Sequence, residues 1–196
     1  MNRNHLFPLV ATALYAAIII LAITFIHIPM PSALSKSFVH PGNALVVLGL
    51  LLLGEKNGTF AAVIGLFLYD TLNGYAASAP FTVLENLIVL LIVSLLYRKV
   101  YHSKLTLGRL SFIGSLAGLT KVIVIFIKYT LRQYLLGNSL FASLAIAATG
   151  MPASLFTAIV TGLLVTTLYF PMKKIFDRYQ PCLLYTSDAA DEAGMV

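Results

Sequence analysis

Four ionisable residues stand within or at the ends of long apolar stretches of this sequence: Asp70, Glu85, Lys121 and Lys128. A charge at the centre of a membrane helix costs about 2.5–3.5 kcal/mol on insertion scales. Four independent ones would cost on the order of 10 kcal/mol, as much as the net stability of a whole domain. Such groups persist when they pair, snorkel to the headgroups or line a wet cavity. Asp70 and Asn73, three apart, share a helix face, and Glu85 and Asn86 are adjacent. Lys121 and Lys128 are two turns apart and also share a face. His40, Asn43 and Tyr75, with His27, fall at the ends of the same stretches. Carboxylates, ammoniums, amides and a phenol within an apolar wall can replace the hydration of a small polar solute. The competing reading is structural, with Asp70 or Glu85 bridging Lys121 and Lys128 snorkelling outward.

Other chemistries lack their parts. The histidines His5, His27, His40 and His102 lie at helix ends or in loops, and none accompanies a Gly-x-Ser-x-Gly turn. There is no His-Glu-x-x-His pattern and no Asp-rich run, so no metal site is expected. Cys182 is the one cysteine. Neither an enzyme nor a bound cofactor is expected.

The elements that must hold these residues are membrane helices. Hydrophobic residues make up 59% of the 196 positions and charged residues 10%, against roughly 25% charged in a soluble domain. Mean hydropathy is +0.92. Six apolar segments can be drawn, approximately 6–28, 41–53, 59–73, 81–97, 110–131 and 152–170. The first, fifth and sixth suffice to cross a bilayer at roughly 20 residues per span. The second and third are short and separated by Glu55–Gly58. They read as two thin, tilted spans, with one re-entrant hairpin as the alternative. Apolar 138–150 reads as a short helix against the outer surface. The first segment shows no small-residue cleavage site, so it reads as a span and not a leader.

Lysine and arginine counts orient the bundle. With the N-terminus inside, the inner side holds Arg3, Lys56, Arg98, Lys99, Lys104, Arg109, Lys173, Lys174 and Arg178, and the outer side Lys36 and Arg132. This bias makes the charges topogenic signals and not a nucleic-acid surface. The expected fold is thus all-α, a multi-pass membrane bundle of about six transmembrane helices with both termini cytoplasmic. Its polar residues gather in the outer half.

Residues 181–196 stand apart. The segment Cys182–Glu192 matches the translation of a common transposase-library adaptor, and composition turns abruptly small and acidic after Gln180. Residues 1–180 are therefore expected to form a single membrane domain. Asp188, Asp191 and Glu192 belong to the tail, which leaves four of the seven acids, 13 basic residues and a net charge of +9.

Taken in order, several features resemble the substrate-binding S component of an energy-coupling factor (ECF) vitamin transporter over nearly all of residues 6–178. One is the small-xxx-small pair Ala13 and Ala17. A proline-bearing loop, 28–31, leads to His40, Pro41, Gly42 and Asn43. Leu51, Leu52, Leu53 and Gly54 then precede Gly58 and an Ala/Gly-rich helix. Last come Asp70, Asn73, Gly74 and Tyr75, followed by Ala79, Pro80 and Thr82.

The resemblance implies capture and uptake of a vitamin or precursor across a bacterial plasma membrane. The binding residues expected from the polar cluster in the outer half of the spans are His40, Asn43, Asp70, Asn73, Tyr75, Glu85, Asn86, Lys121 and Lys128. The resemblance also implies docking through Ala13 and Ala17 on a transmembrane coupling subunit, with two ABC-type ATPases supplying energy and toppling in the membrane delivering the ligand. No Walker loop is present, in keeping with that division of labour. Related members often carry Asp where this chain has Asn43, and Lys near Asn86, so the contact pattern does not transfer. Folate, riboflavin, thiamine or its pyrimidine precursor, pyridoxine and pantothenate stay open as ligands. With no tryptophan, ring stacking falls to Tyr or Phe. The alternative is a stand-alone secondary transporter or channel, against which stand the apolar inner halves of the helices.

Overall fold

The structure is a computed structural model that describes residues 3–30 and 37–179. Lys36, much of the loop expected over the outer mouth, and the adaptor-like segment 181–196 lie outside the described residues. The chain forms α1 (Arg3–Phe25), a ribbon of β1 (Ile28–Met30) and β2 (Ser37–Val39), α2 (Gly42–Leu72), α3 (Ala79–Leu95), α4 (Leu107–Leu135), α5 (Leu140–Thr149) and α6 (Met151–Tyr179). Five helices are long and apolar enough to cross a membrane, and α5 is shorter. Leu14, Phe25, Leu72, Leu91, Leu119, Ile127 and Ile159 are among many large apolar side chains left exposed, which suits contact with lipid.

The two short segments are arms of one broken helix. Gly54 has φ 81° and ψ 169°, and the helix resumes at once, so Glu55–Gly58 is the first turn of the second arm and not a connecting loop. A left-handed φ is costly for any residue with a β-carbon, which explains glycine at this turn. The chain doubles back there: a β-carbon on Gly58 would collide with the Gly49 carbonyl and Leu50 Cα. In a straight helix those residues would be about 13 Å apart. The arms 42–53 and 55–72 span about 18 and 27 Å at 1.5 Å per residue. The first is shorter than the roughly 30 Å hydrocarbon core.

Both arms pack on α1. The Tyr15 hydroxyl donates to the Leu45 carbonyl at 2.8 Å, its ring lies against Gly49, and Gly65 sits on Ala16 and Ile19. Tyr15, Ile19 and Ile23 are buried here with Val46, Leu48 and Leu66. Across the bundle, α4 and α6 approach closely because Gly114 faces Gly162 and Gly118 faces Ala158, the small-residue contact that membrane helices favour. Buried Thr157 and Thr161 return their hydroxyls to the carbonyls four residues back. These two hydroxyls are thereby satisfied within the apolar interior.

Several helices outrun their expected segments. α4 and α6 extend beyond 110–131 and 152–170, and α3 continues as a π-helical turn, Leu96–Val100. Hydropathy marks the lipid-facing stretch, whereas helical hydrogen bonding persists into the polar flanks. The loop expected between Ile28 and His40 instead begins and ends in the antiparallel ribbon, with Ile28 opposite Val39.

Candidate functional site

At one end of the bundle the two arms of α2 begin and finish, α3 and α6 start, and the C-terminal half of α4 contributes side chains. A cavity of about 240 Å³ opens there. His40, Asn43, Asp70, Tyr75, Glu85, Asn86, Lys121 and Lys128 line it. Asn73 does not: it ends α2, where its side-chain amide donates to the Tyr69 carbonyl at 2.8 Å. Asn73 thus serves as a helix cap, as asparagine often does beside a positive-φ glycine, here Gly74.

Glu85 is the hub. Its Oε2 lies 2.8 Å from Lys121 Nζ and its Oε1 2.5 Å from Lys128 Nζ. Glu85 and Lys121 are less than a tenth exposed, and Lys128 lies closer to the opening. A seven-residue separation on α4 lets one carboxylate of α3 bind both lysines. Lys128 also sits 5.0 Å from the Tyr129 ring centroid, within range of a cation–π contact. It therefore points into the cavity and not to the headgroups. Asp70 forms no ion pair among the described residues, although it lies within electrostatic reach of both lysines. Two carboxylates and two ammoniums make the charges of the cavity balance.

An aromatic wall faces this cluster. Phe38, on β2, contacts His40 at a ring-centroid distance of 5.3 Å, Tyr69 at 6.5 Å, Tyr75 at 6.2 Å and His27 at 5.6 Å. Thr82 and Ser78 from the start of α3, Tyr129 from α4, and Ser154 and Thr157 from α6 add hydroxyls. Sequence reasoning missed all of these. Ser154 and Thr157, both polar and three apart near the start of an apolar helix, were the one available signal. Phe38 carried none, since it lies in a loop without periodicity.

His40 is held as a neutral imidazole. Its Nδ1 accepts from the Gly42 N–H at 3.1 Å, which puts the proton on Nε2. Burial, with Lys121 and His27 nearby, pushes its pKa down from 6.5 to about 4. Protonation would turn the Nδ1 acceptor into a donor facing a donor. The folded-state pKa is below the unfolded one, so this stability is complete above pH 6.5 and is lost as pH falls toward 4. Thermal unfolding should therefore drop by a few degrees between pH 7 and pH 5. A His40→Gln variant should show a smaller drop over that interval, and an equal drop would mean that His40 is not the group responsible.

The opposite end is different in kind. Glu55, at the α2 turn, accepts from Ser94 and pairs with Arg98 at 2.7 Å. Lys56, Lys99, Lys104, Arg109, Lys173, Lys174 and Arg178 lie at the same end, at the turn of α2, after α3, before α4 and at the close of α6. Among the described residues no group of three His, Cys, Asp or Glu side chains is disposed to hold a metal. A polar cavity thus lies at one end of the bundle and a cationic cap at the other.

Comparison with known proteins agrees. The family model described as "ECF-type riboflavin transporter, S component" matches residues 4–174. No curated protein and no solved structure matches the chain. Nothing in the match favours a stand-alone transporter or channel. On this match, covering most of its length, the chain belongs to the riboflavin-transporter S components of the ECF family, multi-pass membrane proteins that serve vitamin uptake.

Proposed function

We infer that the cavity binds riboflavin at the outer face of a bacterial plasma membrane, for delivery by an ECF coupling subunit and two ABC ATPases. The observation that carries this reading is the composition of the cavity. An aromatic wall (Phe38, Tyr69, Tyr75) suits a flat ring, and the hydroxyl, amide and charged groups opposite suit a polyol chain. With its four charges in balance, the cavity favours a neutral ligand such as riboflavin over a phosphorylated flavin. His40, Asn43, Asp70, Tyr75, Glu85, Asn86, Lys121 and Lys128 are the proposed binding residues. The orientation rests on the cationic end, which the positive-inside rule puts in the cytoplasm together with both termini. The proposed docking face is the side of α1 carrying Ala13 and Ala17, which are exposed, whereas Tyr15, Ala16 and Ile19 are turned into the bundle.

Uptake of labelled riboflavin by a bacterial strain lacking its own riboflavin transporter tests this directly. The chain co-expressed with the coupling subunit and ATPases should restore uptake. Equal uptake with a Walker-lysine variant of the ATPases would instead indicate a stand-alone carrier.

A further inference from the structure

Several buried polar groups of the cavity have partners close by. Glu85 gives one oxygen to each lysine. The Asn86 side-chain amide donates to the Thr82 carbonyl at 2.8 Å, and His40 Nδ1 accepts from Gly42. Asp70 Oδ2 has no hydrogen-bond partner, and the residue is only 7% exposed. The Thr130 hydroxyl is also bare, but Thr130 does not line the cavity. A buried acceptor without a donor is destabilising, and such groups in native proteins call for a functional explanation.

The surroundings of Asp70 define the missing donor. The residue follows Tyr69, and the Tyr75 N–H donates to the Asp70 carbonyl at 2.7 Å, which folds Tyr75 back beside it. Tyr69 and Tyr75 both contact Phe38. The carboxyl lies beside Tyr69, takes a side-chain hydrogen bond from Thr82 and feels Glu85 and both lysines, so it sits where the aromatic wall meets the side formed by α3, α4 and α6. A ring seated on the aromatic side meets Asp70 with its edge. Oxidised isoalloxazine has one N–H, at imide N3, and its other ring nitrogens carry no proton.

We propose that Asp70 Oδ2 accepts the imide N3–H of the flavin ring and so reads the ring, while the α3, α4 and α6 side takes the ribityl hydroxyls. This rests on the riboflavin reading above. Asp70 then selects for an unsubstituted imide edge, and ring recognition is independent of the sugar-alcohol tail.

The test is equilibrium binding to purified full-length protein, stripped of ligand, followed by flavin fluorescence. The probes are riboflavin, 3-methylriboflavin and lumiflavin, which keeps the imide but lacks the ribityl chain. In the wild type, 3-methylation should weaken binding about 10- to 100-fold, the value of a charge-assisted hydrogen bond. Asp70→Ala should weaken riboflavin binding by a similar factor and bind 3-methylriboflavin about as well as riboflavin. The loss from riboflavin to lumiflavin should be the same in both proteins. Asp70→Asn keeps one acceptor oxygen, so it should show an intermediate 3-methyl penalty, and it supplies the readout if the alanine variant does not fold. A full 3-methyl penalty in Asp70→Ala, or in Asp70→Asn if only that folds, would overturn the proposal while leaving riboflavin as the ligand. So would wild-type protein indifferent to 3-methylation, or a lumiflavin loss that vanishes in the variant. A wild type that binds no flavin would overturn both readings.

Discussion

Glu85→Ala should be the most damaging single substitution in the cavity, lowering both stability and ligand affinity. The change leaves Lys121, less than a tenth exposed, and Lys128 facing each other with no carboxylate between them. Removing one partner of a buried ion pair costs about 3–5 kcal/mol, chiefly because the remaining charge stays desolvated. Asp70 is within electrostatic reach of both lysines and offsets only part of this. Thermal unfolding in detergent provides the check. Lys173→Ala serves as control: it removes an exposed i, i+4 pair with Asp177 at 3.0 Å, worth about 0.5 kcal/mol or less. The double variant Glu85→Gln with Lys121→Met should recover part of the lost stability, since it removes the buried Lys121 charge and leaves only Lys128, about a third exposed, without its carboxylate. It should not recover binding. Equal stability losses from Glu85→Ala and Lys173→Ala would contradict the hub role of Glu85.

Ala13→Phe combined with Ala17→Phe should reduce uptake to background while riboflavin affinity and unfolding temperature stay close to wild type. Both alanines lie on the exposed side of α1, among Val10, Leu14, Ile18 and Leu21, all more than 40% exposed. Small residues one turn apart let a second helix approach closely, and two phenyl rings would hold it off. The neighbouring Ala16 is the contrast. It is 3% exposed and its backbone lies against Gly65, so Ala16→Phe should destabilise the fold itself. Uptake and binding measured on the same variants separate the two cases. Loss of binding in the Ala13/Ala17 variant would make that face internal packing and not a docking surface.

These two predictions draw on different depths of sequence information. The apolar runs, and the lysines Lys121 and Lys128 seven apart within one of them, were legible because membrane insertion penalises charge so heavily. The gathering of polar residues at one end followed from the alternating direction of successive spans. The pairing was not legible: Asp70 and Glu85 competed for Lys121, and the choice depends on how α2 and α3 rotate about their axes, which hydropathy does not report. The turn at Gly54 was placed a few residues late because Glu55–Gly58 reads as polar loop. The polarity belongs instead to the Glu55 contacts with Ser94 and Arg98. Phe38 was invisible for a different reason. Its place at the centre of the aromatic wall is created by the β1–β2 ribbon, whose partner strands lie across a loop.

The central claim is that this chain alone captures riboflavin, and equilibrium binding to the purified protein tests it most directly. A panel of vitamins should be titrated without ATP, coupling subunit or ATPases, with thermal unfolding as the readout. Riboflavin should raise the unfolding temperature at one ligand per chain, equivalent to about 2.7 kcal/mol at a hundredfold excess over the dissociation constant. Folate, thiamine, pyridoxine and pantothenate should give no shift at the same concentration. A shift with one of these and none with riboflavin, or no shift with any, would contradict the account.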